Sequence, residues 1–401
     1  MPSVTSWTPF GRPEEPPLEL LHALAWYARE VLRLDRLFNA VTVKRRRNPE
    51  APVQRRRSAF QDPRICLDFL AMAWLGATRL SHIEPQLRPR PELARAFGLR
   101  RFCDHTTAHN FLNGFHVPHL RQLAGVNARL LREHGAAAGQ RAPILDLDGA
   151  RRRVRRGGRR RDLTYRWTVA FCAGEAVAQS LRHRAAGWRH VVGESLRAAR
   201  RALGGKPCLV RLAGPCASLP LFRELARQRT RVLASVTWAW ALAHRPPPPR
   251  ELRWMPLDGA SRALDLGTAE TPAGELRTVL LERPSPLPAL RREREAIVTS
   301  MRDAPVPAIS RLAASQARIR RFFGHARWPL GDGKMPSSDP RGNAAYLLLA
   351  TIAMNVLQLF ARHLGDGWTL PRVRDRLRFV PRTDRGGRRP AGTAAGSASP
   401  R

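Results

Sequence analysis

Between residues 144 and 236 the apolar pattern of this chain takes on the rhythm of a sheet. Ile144 to Asp148 is a short alternating strand, Leu163 to Phe171 and Ala176 to Leu181 read as strands, and Cys208 to Leu212 is a further apolar strand. A helix over Val191 to Leu203 separates the third strand from the fourth, and a helix over Leu221 to Arg227 precedes a strand over Val232 to Val236. Consecutive strands that give way to strand and helix in alternation restrict this segment to an α/β sheet with helical crossovers.

The flanks follow a helical period instead. Leu20, Leu24, Val31, Leu34 and Leu37 predict a helix within 18–38, and a basic stretch from Lys44 to Arg57 follows it as a linker or DNA-facing arm. From Asp62 to Glu133 the pattern is helical, broken at Pro85, Pro89, Pro91, Gly98 and Gly114. Short helices near 92–97 and 105–113 enclose a tight basic turn that carries Arg100 and Arg101, which suggests a helix-turn-helix-like unit. Pro246 to Pro249 opens an insertion that runs to about residue 288, with strands near 262–266 and 276–282, and helices return from Leu290 to about His363. The tail from Arg382 is disordered by composition. The chain thus divides into an N-terminal helix and basic arm (1–61), a helical DNA-binding-like region (62–138), an α/β domain with an insertion (139–364; insertion about 245–288) and a basic tail (365–401).

Charge narrows the choice of partner. Lys and Arg number 70 against 32 Asp and Glu, a formal charge of +38, while 43% hydrophobic content is enough to build real cores. Only Lys44, Lys206 and Lys334 are lysines, so almost all the positive charge is guanidinium. Guanidinium forks bind phosphate bidentately and never deprotonate, which makes a polyanion the default partner and excludes an ordinary metabolic enzyme surface. Cys66, Cys103, Cys172, Cys208 and Cys216 are scattered and form no CxxC pair, which fits a reduced cytosolic compartment. The N-terminus lacks the basic and apolar regions of a signal peptide. The most apolar run, Ala344 to Met354, is eleven residues, too short to span a membrane, and reads as a buried helix.

Three places carry candidate chemistry. Asp146 and Asp148 stand at i and i+2 in the strand ILDLD, so the pleat puts both carboxylates on one face, either as metal ligands or as a strand end entering an Asp-Gly turn. Immediately after it, Arg151, Arg152, Arg153, Arg155, Arg156, Arg159, Arg160 and Arg161 surround Gly157-Gly158, which reads as the turn of a hairpin. A strand pair this basic would hold a phosphodiester backbone over the two carboxylates. Cys103, His105 and His109 have spacings that suggest zinc, but no fourth ligand stands at motif spacing, and CDHTTAH reads as a helix start capped by Asp104. Trp238 and Trp240, after a strand, read as core side chains.

Three stretches, 62–115, 144–218 and 317–364, resemble one family: bacterial insertion-sequence transposases with a DDE nuclease domain, of the DDE group-1 type. The most specific is MPSSDPRGNAAYLLLATIAMN, within the third. The resemblance implies a ribonuclease H-like fold with a β-rich insertion and double-stranded DNA as partner. It also implies a homodimer that pairs two DNA ends, in the bacterial nucleoid and cytoplasm, with no membrane. The implied chemistry is hydrolysis of DNA ends and strand transfer by two Mg²⁺ (or Mn²⁺) ions on an Asp-Asp-Glu triad. Hard divalent ions prefer oxygen, and two of them activate the attacking oxygen and stabilise the leaving one.

The first acid carries over onto Asp148. Where the family has an Asp in a motif such as RADSGFAS, this chain has Ala213, and where it has a Glu in a motif such as IENRIKELK, it has Arg320. The last glutamate in the chain is Glu295, so no shift of register restores the motif. Asp146, Glu293, Glu295 and Asp303 are the substitutes to consider. Three outcomes stay open: an inactive descendant of a transposase, an active one with displaced acids, and a basic DNA-binding protein reused by its host.

Overall fold

The computed structural model describes residues 18–43, 61–77, 79–154, 163–213, 216–237, 240–241, 253–258, 260–284, 292–315 and 335–377. Helices α1 (Leu18–Trp26), α2 (Leu34–Phe38), α3 (Asp62–Leu75), α4 (Pro91–Ala96), α5 (His105–Asn113) and α6 (Val117–His134) precede the first strand. Then come β1 (Ile144–Val154), β2 (Leu163–Cys172), β3 (Glu175–His183), α7 (Trp188–Ala202), β4 (Leu209–Leu212), α8 (Leu219–Arg227) and β5 (Arg231–Val236). Strands β6 (Met255–Pro256), β7 (Arg262–Thr271), β8 (Gly274–Pro284) and β9 (Arg292–Thr299) follow. Helix α9, described over 306–315, and helices α10 (Pro340–His363) and α11 (Leu370–Leu377) complete the chain.

All nine strands form one mixed sheet in the order β3-β2-β1-β4-β5-β9-β8-β7-β6. β1, β4 and β5 are mutually parallel and the other pairings are antiparallel. The protein is therefore a mixed α/β structure. On one face Leu145, Leu147, Val210 and Leu212 meet Val192 and Leu196 of α7 and Phe222 of α8. On the other, Val169 and Phe171 of β2 meet α10, while Leu233 and Ile297 meet Val306, Ile309 and Ala313 of α9.

The helices expected from Leu290 begin later, because residues 292–299 are strand β9. The run RRERE has a helical composition, but Ala296 and Val298 turn to one face of the sheet and Ile297 to the other, pairing with β5 and β8. The inserted strands thus extend the main sheet and run past residue 288.

Helix α10 is longer than its apolar run of eleven, and 17 of its 24 residues are buried. It is long and apolar enough to cross a membrane, but 83% of its apolar window is buried inside the protein. The helices before β1 pack on it, so segments from both ends of the chain share one core. Trp74 Nε1 of α3 donates to the Ala353 carbonyl at 2.9 Å. Gly342 lets α10 start close against α5, since a Cβ there would sit a tight 3.0 Å from the Leu112 carbonyl oxygen. Ser337 Oγ donates to Asn113 Oδ1 at 2.6 Å, and Asp339 caps α10 by accepting the Arg341 N–H at 2.9 Å. The PSSDPRGN residues therefore form the joint between α5 and α10.

In α3, Asp68 is 1% exposed; its Oδ2 accepts the Cys103 N–H at 3.0 Å and its Oδ1 has no partner among the described residues. Burial pushes its carboxyl up to about 7, against the pull of the Cys103 hydrogen bonds. A carboxyl raised in the folded state favours the protonated form there, so the stability it contributes is present below its unfolded pKa near 4 and is lost as pH rises through about 7. We expect Asp68→Asn, which keeps an acceptor for Cys103, to raise Tm at pH 8 and to flatten the fall in Tm between pH 4 and pH 8. An unchanged pH profile in thermal denaturation would show that Asp68 is not the group that titrates.

Candidate functional site

Strands β1 and β4 run parallel in register from Ile144 beside Leu209 to Leu147 beside Leu212. The Ala213 N–H then donates to the Leu147 carbonyl at 3.2 Å, so Ala213 stands next to Asp148 where β4 ends. The carboxyl ends of central parallel strands are where open α/β sheets place their sites. Ala213 occupies such a position at the end of β4, beside Asp148 in the middle of the longer β1, and Asp148 Oδ1 accepts the Gly149 N–H at 2.7 Å. Gly149 faces the opposite layer, where a Cβ would sit 2.6 Å from Trp188 Cζ3 and 3.2 Å from Cys216 Sγ. Burial first, and then Asp148, push the Cys216 thiol well above its usual range, so it is an inert core thiol.

Asp146 shares the face of Asp148 but is turned to a different task. Its register partner on β4 is Arg211, whose Nε and Nη2 grip its two oxygens at 2.5 and 2.6 Å. The two side chains are 5% and 4% exposed. Arg211 Nη1 also donates to the Leu312 carbonyl at 2.5 Å and to Ser315 Oγ, which ties α9 to the sheet. Burial raises the Asp146 carboxyl above its ordinary range and the guanidinium pulls it back. A lone Arg inside the apolar strand LVRL was the sequence signal for this pair, because a buried cation requires a buried acceptor.

The residues present do not fit a two-metal site. Asp146 is occupied by a cation, and Ala213 offers a methyl group where a second carboxylate would stand. Glu295 lies on β9, three strands from β1 and so roughly 14 Å away, where Ser235 Oγ donates to it at 2.6 Å and Arg283 pairs with it at 3.3 Å. Glu293 is exposed on the same strand rather than on a helix, and Asp303 follows the end of antiparallel β9, at the opposite end of the sheet from Asp148. Among the described residues no three His, Cys, Asp or Glu side chains gather into a cluster that could hold a metal. Arg320 lies outside the described residues.

The arginine expectations separate. Arg100 and Arg101 are exposed between α4 and α5. Arg152 is not on the open surface: it is 6% exposed, with its guanidinium carbon 5.0 Å from the Trp167 ring centroid. Position 152 shares the pleat face of Asp146 and Asp148, and there it lies close enough to Tyr346 of α10 to act on its phenol. Arg151 alternates to the exposed side, and Arg153 pairs with Thr164 in the β1–β2 ladder. Arg155, Arg156, Arg159, Arg160 and Arg161, with Gly157-Gly158, lie outside the described residues. At the zinc-like spacing, Asp104 caps α5 by accepting the Thr107 N–H at 2.6 Å, Cys103 is buried, and His105 Nδ1 engages Glu84 at 2.7 Å. Trp240 packs edge-on against Phe222 in the core, and Trp238 lies outside the described residues.

Removing Arg211 leaves a buried carboxylate uncompensated, so Arg211→Met should cost about 3–5 kcal/mol in urea denaturation. The double variant Asp146→Leu/Arg211→Met should recover most of that loss. Excess EDTA, Mg²⁺ or Mn²⁺ should leave Tm unchanged, whereas a rise with added metal would demonstrate a bound ion. The chain matches no model of a known protein family and no curated protein.

Proposed function

We propose that this chain is a transposase-family DNA-binding protein with a ribonuclease H-like core and an impaired site for two-metal cleavage. The observation that carries the reading is the pair Asp148 and Ala213, side by side where the parallel pairing of β1 with β4 ends. The resemblance aligns these two residues with the family's first and second acids, and the sheet makes them neighbours. The β3-β2-β1-β4-β5 unit, an antiparallel meander continued by two parallel strands, is consistent with a ribonuclease H-like core. The strands β6–β9 between β5 and α9 are consistent with a β-rich insertion. The charge of +38, almost all guanidinium, favours duplex DNA as the partner.

Impairment is favoured over displaced acids by the positions of those acids. Asp146 is neutralised by Arg211, Glu295 is held three strands away, and Asp303 is at the wrong end of the sheet. Descent with loss of cleavage and reuse by a host share this predicted DNA binding.

The test uses purified full-length protein and duplex DNA from both flanks of its own gene. We expect salt-sensitive binding and no strand cleavage in Mg²⁺ or Mn²⁺. Cleavage that disappears in Asp148→Ala would overturn the impaired reading, and absence of DNA binding would overturn the whole. In the triple variant Arg155→Glu/Arg159→Glu/Arg160→Glu the log-log salt slope should shrink by up to about 2.7, at roughly 0.9 per phosphate. An unchanged slope would remove the hairpin from the DNA interface.

A further inference from the structure

Among the described residues the outer edge of β3 ends the sheet, since β3 pairs there only with β2. Its first outward main-chain groups are already satisfied. Asn355 Oδ1 accepts the Ala176 N–H at 2.9 Å, and the side-chain amides of Asn127 and Asn355 both donate to the Ala176 carbonyl at 3.0 Å. Further along, the Arg184 N–H bonds to the Thr164 carbonyl at 2.9 Å, which sets the phase of the ladder. The pairs Arg166/Arg182 and Thr168/Ser180 are therefore bonded to each other, while Leu181 and Gln179, opposite Trp167 and Val169, direct N–H and C=O away from the sheet. Among the described residues nothing takes those four groups.

Gln179 lines a groove of about 580 Å³ between α6 and α7, and Leu181 follows it along the same edge. Small side chains keep it open: Ala124, Gly125 and Ala128 on α6 and Ala198 and Ala202 on α7. A Cβ at Gly125 would meet no atom within 4 Å. Arg121 and Arg132 stand at the two ends of the α6 stripe and Arg201 on α7; none forms an ion pair among the described residues, although Glu133 lies close enough to feel the charge of Arg132. Eleven residues of helix separate Arg121 from Arg132, roughly 16 Å, the length of about five residues of extended chain.

We propose that this groove binds an extended acidic peptide segment of a partner protein, which adds to β3 as a tenth strand. The edge offers donors and acceptors in alternation, which a peptide main chain matches and a phosphodiester, an acceptor only, does not. The lining also presents no aromatic platform on which a base would stack. The arginines select against a second copy of this basic chain and for carboxylates on the incoming strand.

The probe is a fluorescein-labelled alternating Glu-Val peptide about seven residues long, titrated by anisotropy against the full chain at near-physiological salt. Binding should be at least about tenfold weaker for the Lys-Val counterpart and for the Glu-Val peptide N-methylated along its pairing edge, a difference of about 1.4 kcal/mol or more. Gly125→Leu fills the groove with a better helix former and should weaken binding by a similar factor with unchanged circular dichroism. If it disturbs folding, the exposed-rim variant Arg132→Glu/Arg201→Glu takes its place. No binding, equal binding of the N-methylated peptide, or indifference to both variants would overturn the proposal. So would an oligothymidylate that binds in the peptide's place with the same sensitivity to Gly125→Leu. Duplex DNA binding by the Gly125→Leu variant, measured in parallel, keeps this outcome separate from the DNA-binding reading.

Discussion

Burial of α10 is the constraint on which the remaining architecture depends. A helix with apolar residues on every side cannot rest on a sheet by one face alone, since the opposite face would be left in water. The chain covers one side with β2 and β3 and the other with helices from its N-terminal third, so that Phe69, Trp74, Phe111 and Phe115 share a core with Trp167 and Phe171 of the sheet. The helices before β1 are thus half of the shell around α10 and not an independent module beside the sheet. Removing them would expose a hydrophobic surface far larger than a soluble monomer tolerates.

Covering a helix in this way buries main-chain groups at the sheet edge, and the polar side chains inside the core answer that need. Asn355 and Asn127 bond to each other at 2.8 Å and together satisfy both main-chain groups of Ala176. Glu175, fully buried, accepts the N–H groups of Ala136 and Ala137 at 2.8 and 3.1 Å and pairs with Arg362 at the end of α10. These contacts fix where β3 starts relative to α6 and α10, and a buried amide left without them costs about 1–3 kcal/mol. They end at Ala176, and the Ala and Gly residues of α6 and α7 leave the rest of the edge uncovered.

The central strands and the helices between them were legible in the sequence, because apolar alternation and short apolar runs report burial directly. All six strands and helices expected over 163–236 start and end within three residues of their observed limits, and β1 overran its expected end because its second half is arginine-rich and carries no apolar pattern. The charged first half of β9 hid a strand for the same reason: its place is set by pairing with β5 and β8, which is non-local. At the site, the pleat correctly put Asp146 and Asp148 on one face, yet spacing along one strand says nothing of what stands on the next. Arg211 and Ala213 decide what those carboxylates can do, and only the β1–β4 register brings them alongside. Arg152 failed as an exposed contact on the same ground, since the stretch of charge around it reads as solvated until Tyr346 of α10 is brought close to it.

Two carboxylates on one strand face repel each other, and a metal site tolerates this because the ion neutralises them. Here Asp146 meets a guanidinium built into the neighbouring strand, with both side chains withdrawn from water and the remaining N–H groups of Arg211 spent on α9. A resident cation that also ties a helix to the sheet cannot leave without loosening that helix, so it does not exchange with a divalent ion from solution. The methyl of Ala213 then leaves Asp148 without a second carboxylate alongside. On the reading proposed above, the strand end that would otherwise hold metal has become a structural joint. On the same reading, the contacts proposed with DNA fall to arginines outside that joint, whose charge does not depend on it.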